Sequence, residues 1–205
     1  MVQFQDGKAD SFTAKLYLYT YKKMINFKET LEKLESSEEF KQFKKEHPHA
    51  FLTAGFFVID NETGNEIKQL DYAITDGETK DLITFVIGDK IQHKKEETIK
   101  KEKFHRLEIP KIELNDAVEI MKKDTEKFTK QYAKIIAILQ MLEHEEDKEG
   151  KKSSKLTEVW NLTGLAGFSM FRLHVDVMTG EIFKEENKNL LDIMRVEKKD
   201  QNYIG

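Results

Sequence analysis

NDAVEIMKKDTEKFTKQYAKIIAILQMLEH, residues 115–144, is the segment on which the predicted architecture depends. Apolar side chains recur in it at intervals of three and four residues, the spacing of one face of an α-helix. They are Ala117, Met121, Phe128, Tyr132, Ile135, Ile136, Leu139 and Leu142. We therefore expect one long amphipathic helix over 115–144, straight or bent near Lys123 and Asp124, with its apolar side packed against a sheet.

Patterns typical of β-strands lie on both sides of this segment. Before it, apolar and β-branched runs separated by turn residues predict an antiparallel meander with strands at 50–60, 66–74 and 82–87, and a further short strand after a turn at Gly88 and Asp89. After it, strands are expected at 104–109, 156–162, 168–176 and 181–184, and a last helical turn or strand at 190–196. The charged stretches 94–103 and 145–155 are predicted to be a linker and a loop.

Two shorter helices are expected near the N-terminus. Asn26 with Glu29 three residues later forms a capping box, and apolar residues follow at helical spacing. Ser36 with Glu39 repeats the pattern for a second helix. Pro48 ends that helix, because the residue before a proline is disfavoured in the α conformation.

A strand with an aromatic side is predicted ahead of these helices, at 12–21. Apolar and polar residues alternate there, and Tyr17, Tyr19 and Tyr21 all fall on the outer side. A row of this kind either packs beneath a helix or forms an exposed contact patch.

The motif Asp-x-x-Thr-Gly occurs twice, at Asp60–Gly64 and at Asp176–Gly180. The aspartate can accept from backbone N–H groups ahead of it, and glycine supplies a positive φ, so each copy predicts a hairpin turn. Each also follows a predicted helix and aromatic strand residues. We therefore predict an α+β protein of two similar halves, 1–98 and 99–205, each an amphipathic helix on an antiparallel sheet, with one continuous shared sheet as one arrangement.

The second half resembles the PepSY-like group of small domains over about 75 residues, from 112 to 184. The matching stretches are Ile112-Glu-Leu-Asn-Asp-Ala117, Phe171-Arg-Leu-His-Val175 and Asp176-Val-Met-Thr-Gly-Glu-Ile182. The first half matches more loosely, which suggests a duplication. The resemblance implies a helix on an antiparallel sheet, of the PepSY or cystatin kind, and a non-catalytic regulatory or inhibitory role, often outside the cytoplasm.

Composition excludes several classes of protein. The 205 residues carry 34 basic and 38 acidic side chains, so no basic excess indicates a nucleic-acid partner. The absence of cysteine excludes disulfides and thiolate chemistry. The sequence contains no run of about 18 apolar residues, so it does not predict membrane insertion. If Met1 is the natural start we expect a cytoplasmic protein, and if a leader precedes it an extracytoplasmic one.

Catalytic signatures are lacking, and we predict no catalytic residue, metal or cofactor. His47 and His49 form a close pair without a third ligand at a recognisable spacing. His174 and Asp176 share a strand side, but a turn role explains Asp176 better than a His–Asp dyad does.

We therefore expect a non-enzymatic binding or regulatory module that acts on a protein partner or forms a homodimer, through a sheet edge or a groove between helix and sheet. The first alternative is a carrier of a small apolar ligand, with a pocket between the predicted long helix and the following strands. Its lining would be Trp160, Phe171, Tyr132 and Phe128. The second alternative is a hydrolase or metalloenzyme using the histidines named above.

Overall fold

The structure is a computed structural model that describes residues 25–74, 81–97, 104–124, 132–148 and 151–189. Within these ranges it contains three helices and eight strands. The helices are α1 (Phe27–Ser36), α2 (Glu38–Glu46) and α3 (Leu114–Asp124). The strands are β1 (Phe51–Asp60), β2 (Glu66–Ile74), β3 (Asp81–Ile87), β4 (Ile91–Glu97), β5 (Lys134–Lys148), β6 (Lys151–Ala166), β7 (Ser169–Asp176) and β8 (Ile182–Asn189).

All eight strands form one antiparallel sheet in the order β4-β3-β2-β1-β5-β6-β7-β8. We call β1–β4 the N-terminal wing and β5–β8 the C-terminal wing. The wings join where β1 pairs with β5, from Gly55↔Leu139 to Asp60↔Lys134, and this pairing is the seam. Each wing is a meander, so every strand pairs with its neighbour in sequence except at the seam.

The helices cover one face of the sheet, the helical face. Side chains alternate between faces along a strand, so Phe57 and Trp160 point to this side, and both are fully buried. Phe27 of α1 packs edge-on against both rings, with centroid distances of 6.3 and 6.1 Å. The Trp160 indole N–H donates to the Ile112 carbonyl at 2.8 Å, which fixes the entry into α3. The core therefore crosses the seam.

An aromatic cluster anchors α2 on the N-terminal wing. Phe40 and Phe43 of α2 lie against Tyr72 of β2 and Phe85 of β3, with ring centroids 5.0–5.8 Å apart. All four contacts are edge-to-face, the arrangement that ring quadrupoles favour. Burial raises the pKa of Tyr72 well above its ordinary value, so its hydroxyl stays neutral.

The predicted fold class is wrong. The residues that the structure describes form mostly one eight-stranded sheet with three short helices, and not two halves that each pack a helix on a sheet. The long helix predicted over 115–144 is the cause: α3 ends at Asp124, and 134–148 is strand β5. In 134–142 nearly every residue is apolar, so helical spacing and strand alternation are both satisfied, and the density of isoleucine favours the strand.

Three smaller predictions also fail. The predicted charged loop 145–155 is largely strand, because β5 and β6 pair from Lys134↔Leu165 out to Lys148↔Lys151. The first part of the predicted linker 94–103 belongs to β4. The predicted strand 104–109 is an irregular segment, tied to the sheet by the Leu107 N–H, which donates to the Leu52 carbonyl at 2.9 Å.

Several local predictions are confirmed. The Asn26 side chain accepts from the Glu29 N–H at 2.9 Å and begins α1. The cap of α2 is Ser37, one residue later than predicted. The meander of β1–β3 lies where the alternation placed it.

Both Asp-x-x-Thr-Gly copies are the predicted hairpin turns, and they are built alike. One oxygen of Asp60 accepts from the Glu62 and Thr63 N–H groups, as one oxygen of Asp176 does from Met178 and Thr179. Gly64 and Gly180 adopt φ of 75° and 78°. Two copies of a turn do not establish a duplication, because the motif's hydrogen bonds are local.

Some predictions lie outside the described residues. They are the strand at 12–21 with Tyr17, Tyr19 and Tyr21, the side chain of Phe128, the boundary between 98 and 99, and the segment 190–196.

Candidate functional site

A cleft of about 770 Å³ lies in the C-terminal wing, mainly on the face of the sheet opposite the helices. We call it the trough. Its lining comes from β5, β6, β7 and the start of β8: Leu142, Glu143, His144, Lys155, Thr157, His174, Asp176, Glu181, Ile182, Phe183 and Lys184. Its volume is within the range of about 300–1,000 Å³ that is usual for ligand pockets.

Curling of the sheet creates the trough. The rings of His144 on β5 and Phe183 on β8 stack with centroids 4.7 Å apart, and Phe183 also meets His174 edge-on at 5.7 Å. Two strands separate β5 from β8, so in a flat sheet these backbones would lie about 14 Å apart. The C-terminal wing therefore bends toward the face opposite the helices, and Phe183 closes one side of the cleft.

His174 is the most unusual side chain of the trough. It is 95% buried, yet neither ring nitrogen has a hydrogen-bond partner among the residues that the structure describes. Burial, followed by the charges of Lys184 and Arg172, lowers the pKa of its imidazole. The ring is therefore neutral at pH 7, with one nitrogen able to donate and the other able to accept.

Two further polar groups of β6, on the same face as His174, share this property. The Thr157 side chain is 91% buried in the trough, and its hydroxyl has no partner within the described ranges. Asn161, half-buried and paired in register with His174, has a buried side-chain oxygen that likewise lacks one. Unpaired buried polar groups are few in folded proteins, and each calls for an explanation.

Several charged groups around the trough already have partners. Asp176 holds the β7–β8 turn. Glu143 accepts from the Ser154 hydroxyl. Lys184 lies 2.8 Å from Glu186, and Lys184 and Lys188 together lower the pKa of Glu186 to about 2. The His174 ring nitrogens and the Thr157 hydroxyl add uncharged hydrogen-bonding capacity to the trough.

Of the four predicted ligand-binding residues, the three that the structure describes do not line the trough. Trp160 and Phe171 lie in the core on the helical face, 0% and 4% exposed. Tyr132 packs its ring over Gly164, where an added Cβ would lie 2.5 Å from the ring carbons. The side chain of Phe128 is outside the described residues. A ligand-binding role for these four stays a prediction.

The two predicted pairs, His47 with His49 and His174 with Asp176, lie in different parts of the molecule. His47 ends α2, its N–H donating to the Phe43 carbonyl at 2.8 Å, and His49 is exposed. His174 and Asp176 both line the trough but are not hydrogen-bonded to each other, because Asp176 is engaged by the turn. Within the described ranges no group of three or more histidine, aspartate or glutamate side chains could hold a metal ion.

Sequence reasoning missed His144, Thr157 and Phe183 as site residues. The sequence predicts His144 at an exposed acidic helix end, whereas it lies in β5 and stacks on Phe183. Reading 134–144 as a strand would have placed Leu142 and His144 on the side opposite Leu139. No sequence signal indicates the curl that brings β8 to them.

Comparisons with known proteins do not assign the chain to a family. No protein-family model and no curated protein matches it, so the PepSY resemblance stays a prediction. A crystal structure of a "putative lipoprotein" from Clostridium difficile 630 is similar, with a TM-score of 0.45 and 11% identity over 74% of this chain and 91% of that one. None of the helices in the described ranges is long and apolar enough to cross a membrane.

Proposed function

We propose that this protein is a non-enzymatic binding module that recognises a protein partner through the trough of the C-terminal wing. One observation supports this above the others. His174 is buried at the wall of a cleft and has two ring nitrogens without partners in the described residues. A bound group that pairs with them removes a desolvation penalty of about 1–3 kcal/mol per atom.

The trough is a better candidate than the sheet edges for this role. Edge strand β4 carries Lys94 and Lys95, and edge strand β8 carries Lys184 and Lys188. Charged side chains, lysine above all, are how sheet edges are protected from pairing with another strand. Partner binding by strand addition is therefore disfavoured at both edges.

The two alternatives find less support. The apolar carrier required a helix over 128–142, but 134–142 is part of β5, and Trp160 fills the core. A hydrolase built on His174 requires a group that orients the imidazole, and Asp176 is turned away into its own hairpin.

Selection of peptides on two variants tests the proposal. A phage-displayed library of random linear peptides, about a dozen residues long, is selected on the native protein. Selected clones are then measured on Leu142→Trp, which places an indole in the trough, and on Glu62→Trp, which places it on the exposed β1–β2 turn. Thermal unfolding of both variants establishes that they are folded.

We expect selected clones to lose at least tenfold in affinity on Leu142→Trp and to bind Glu62→Trp unchanged. Failure to select any clone would contradict a protein partner. Equal binding to both variants would place the site elsewhere on the molecule.

A further inference from the structure

Phe183 closes one side of the trough because of a bulge in β8. Lys184 pairs with His174 and Ile182 pairs with Val175, so Phe183 is an extra residue on β8 between the two pairs. In a regular strand Phe183 would point to the face opposite that of Lys184, which is the helical face. A bulge re-aims a side chain, and here it turns the Phe183 ring edge-on to His174.

This position of Phe183 encloses the imidazole of His174. Both ring nitrogens are buried and lack a hydrogen-bond partner among the described residues, and the centroid of the Phe183 ring lies 5.7 Å from that of the imidazole. Phe183 is held there by stacking on His144 at 4.7 Å. It lies on an edge strand of the described sheet and beside a break in the ladder, where local opening is easiest. Movement of Phe183 would therefore expose the imidazole to water or to a partner.

The charges around His174 oppose its protonation in this closed arrangement. Arg172 flanks it on β7 and Lys184 lies opposite it on β8, so burial, Lys184 and Arg172 lower the pKa of the imidazole. Glu186 favours a proton there, but it already lies 2.8 Å from Lys184 and 3.2 Å from Lys188. The residue opposite His174 on β6 is uncharged. The other titratable groups of the cleft are Asp176 on β7, Glu181 on β8, Glu143 and His144 on β5, and Lys155 on β6.

We infer that Phe183 is a gate over His174, closed while the imidazole is neutral and opened when the imidazole takes up a proton. The bulge is the hinge, and opening lets water surround the charged ring. The gate regulates access to the trough, so its role rests on the proposed function. Its movement is a property of the free protein and is measured without a ligand.

Relaxation-dispersion NMR of the Phe183 ring tests the gate on the whole chain, because it detects minor forms that exchange in microseconds to milliseconds. In the open form the imidazole titrates near its ordinary pKa of 6.5. A change from pH 7.5 to pH 5.5 should therefore raise the ratio of open to closed form by up to about tenfold. The Phe85 ring, buried in the aromatic cluster of the N-terminal wing, is the internal control for global unfolding.

Substitutions identify the group that titrates. His174→Gln keeps a polar side chain that takes up no proton, so we expect the open population to be independent of pH. His93→Gln, at an exposed position of β4, should respond as the native protein does. His174→Leu removes the buried polar atoms, so the open form should be rarer than in the native protein at both pH values. Thermal unfolding establishes that each variant is folded.

Two results for the variants would overturn the gate, as would native Phe183 signals that do not respond to pH. A response that persists in His174→Gln would assign the trigger to another group, such as His144. An equal response of Phe85 would mean that the whole protein unfolds.

The gate and the proposed function can fail separately. If the gate fails while selected peptides still distinguish Leu142→Trp from Glu62→Trp, the binding function stands without it. If Phe183 responds as expected but no peptide is selected, the movement stands and the binding function falls.

Discussion

The two wings bury polar groups in opposite ways. In the N-terminal wing the Thr84 hydroxyl, 94% buried, donates to Asp71 at 2.8 Å, and the Gln69 amide donates to the same oxygen at 3.0 Å. In the C-terminal wing Thr157 and His174 are as deeply buried but lack partners among the described residues. The face opposite the helices is thus internally satisfied in one wing and left open in the other.

This difference indicates that the two wings have different roles. The N-terminal wing carries the aromatic cluster of α2, and its buried polar groups contribute to stability. The C-terminal wing retains buried groups that cost stability unless something binds to them, as functional sites commonly do. Substitutions in each wing measure how differently the two wings contribute to stability.

The largest expected effect is the loss of an aromatic ring in the N-terminal wing. Phe85→Ala removes a fully buried ring that contacts Phe40, Phe43 and Tyr72, so we expect the free energy of unfolding to fall by about 3–5 kcal/mol. Phe183→Ala, at the half-buried trough wall, should cost about 1–2 kcal/mol. Urea unfolding measures the free energy of unfolding of both variants. Equal losses would contradict the different roles of the two wings.

The next largest effect on stability is expected from a matched pair of threonines, one in each wing. Thr84→Val removes a hydrogen bond to a carboxylate, and we expect a loss of about 2 kcal/mol. Thr157→Val replaces a hydroxyl that lacks a partner in the described residues, so stability should stay unchanged or rise by up to about 1 kcal/mol. Chemical denaturation measures the free energy of unfolding of both variants. A loss in Thr157→Val as large as that in Thr84→Val would show that the Thr157 hydroxyl has a hydrogen-bond partner in the free protein.

The two Asp-x-x-Thr-Gly turns should respond alike, since their geometry is the same. Gly64→Ala and Gly180→Ala each force alanine into a positive φ, which costs about 1–2 kcal/mol. Thermal or urea unfolding should give equal losses within about 0.5 kcal/mol. A clear difference would mean that neighbours of the turn, such as Ile112 and Ile120 near Gly180, set its stability.

The smallest effect is a pH dependence confined to the C-terminal wing. The fold lowers the pKa of His174 from 6.5, so its neutral form is favoured when folded and protonation favours the unfolded state. The contribution of His174 is complete above about pH 6.5 and is lost as the pH falls toward the folded pKa.

Comparing native protein with His174→Leu isolates that contribution. Between about pH 7.5 and pH 5 the native protein should lose more stability than the variant, because only the native protein binds a proton at this position on unfolding. Parallel curves from urea unfolding would show that position 174 is not held neutral by the fold.

Local chemistry was predictable from the sequence, and long-range arrangement was not. The Asn26 cap, the β1–β3 meander and both turns depend on residues a few positions apart, and these were found. The prediction of a helix over 115–144 failed because Ile135, Ile136 and Ile138 fit both the helical and the strand period. Pairing with β1 and β6 decides between them, and no local pattern encodes it.

The site was harder to predict than the fold. The sequence places His174 in a strand, but its deep burial and its lack of a partner among the described residues depend on what β5, β6 and β8 place around it. Phe183 reaches His144 through the curl of the wing, which spans four strands. Aromatic residues suggested a pocket at Trp160 and Phe171, yet aromatics bury most area in a core, and that is where these two lie.

The seam has a consequence for how the chain folds. Within each wing the strands pair with sequence neighbours, but across the seam the paired residues are 74 to 84 positions apart. Bringing such distant partners together costs the most loop-closure entropy, so it is expected to come late and to set the refolding rate. In a nascent polypeptide emerging from the ribosome, β1 can pair with β2 on one side, but its other edge stays exposed until β5 has been synthesised.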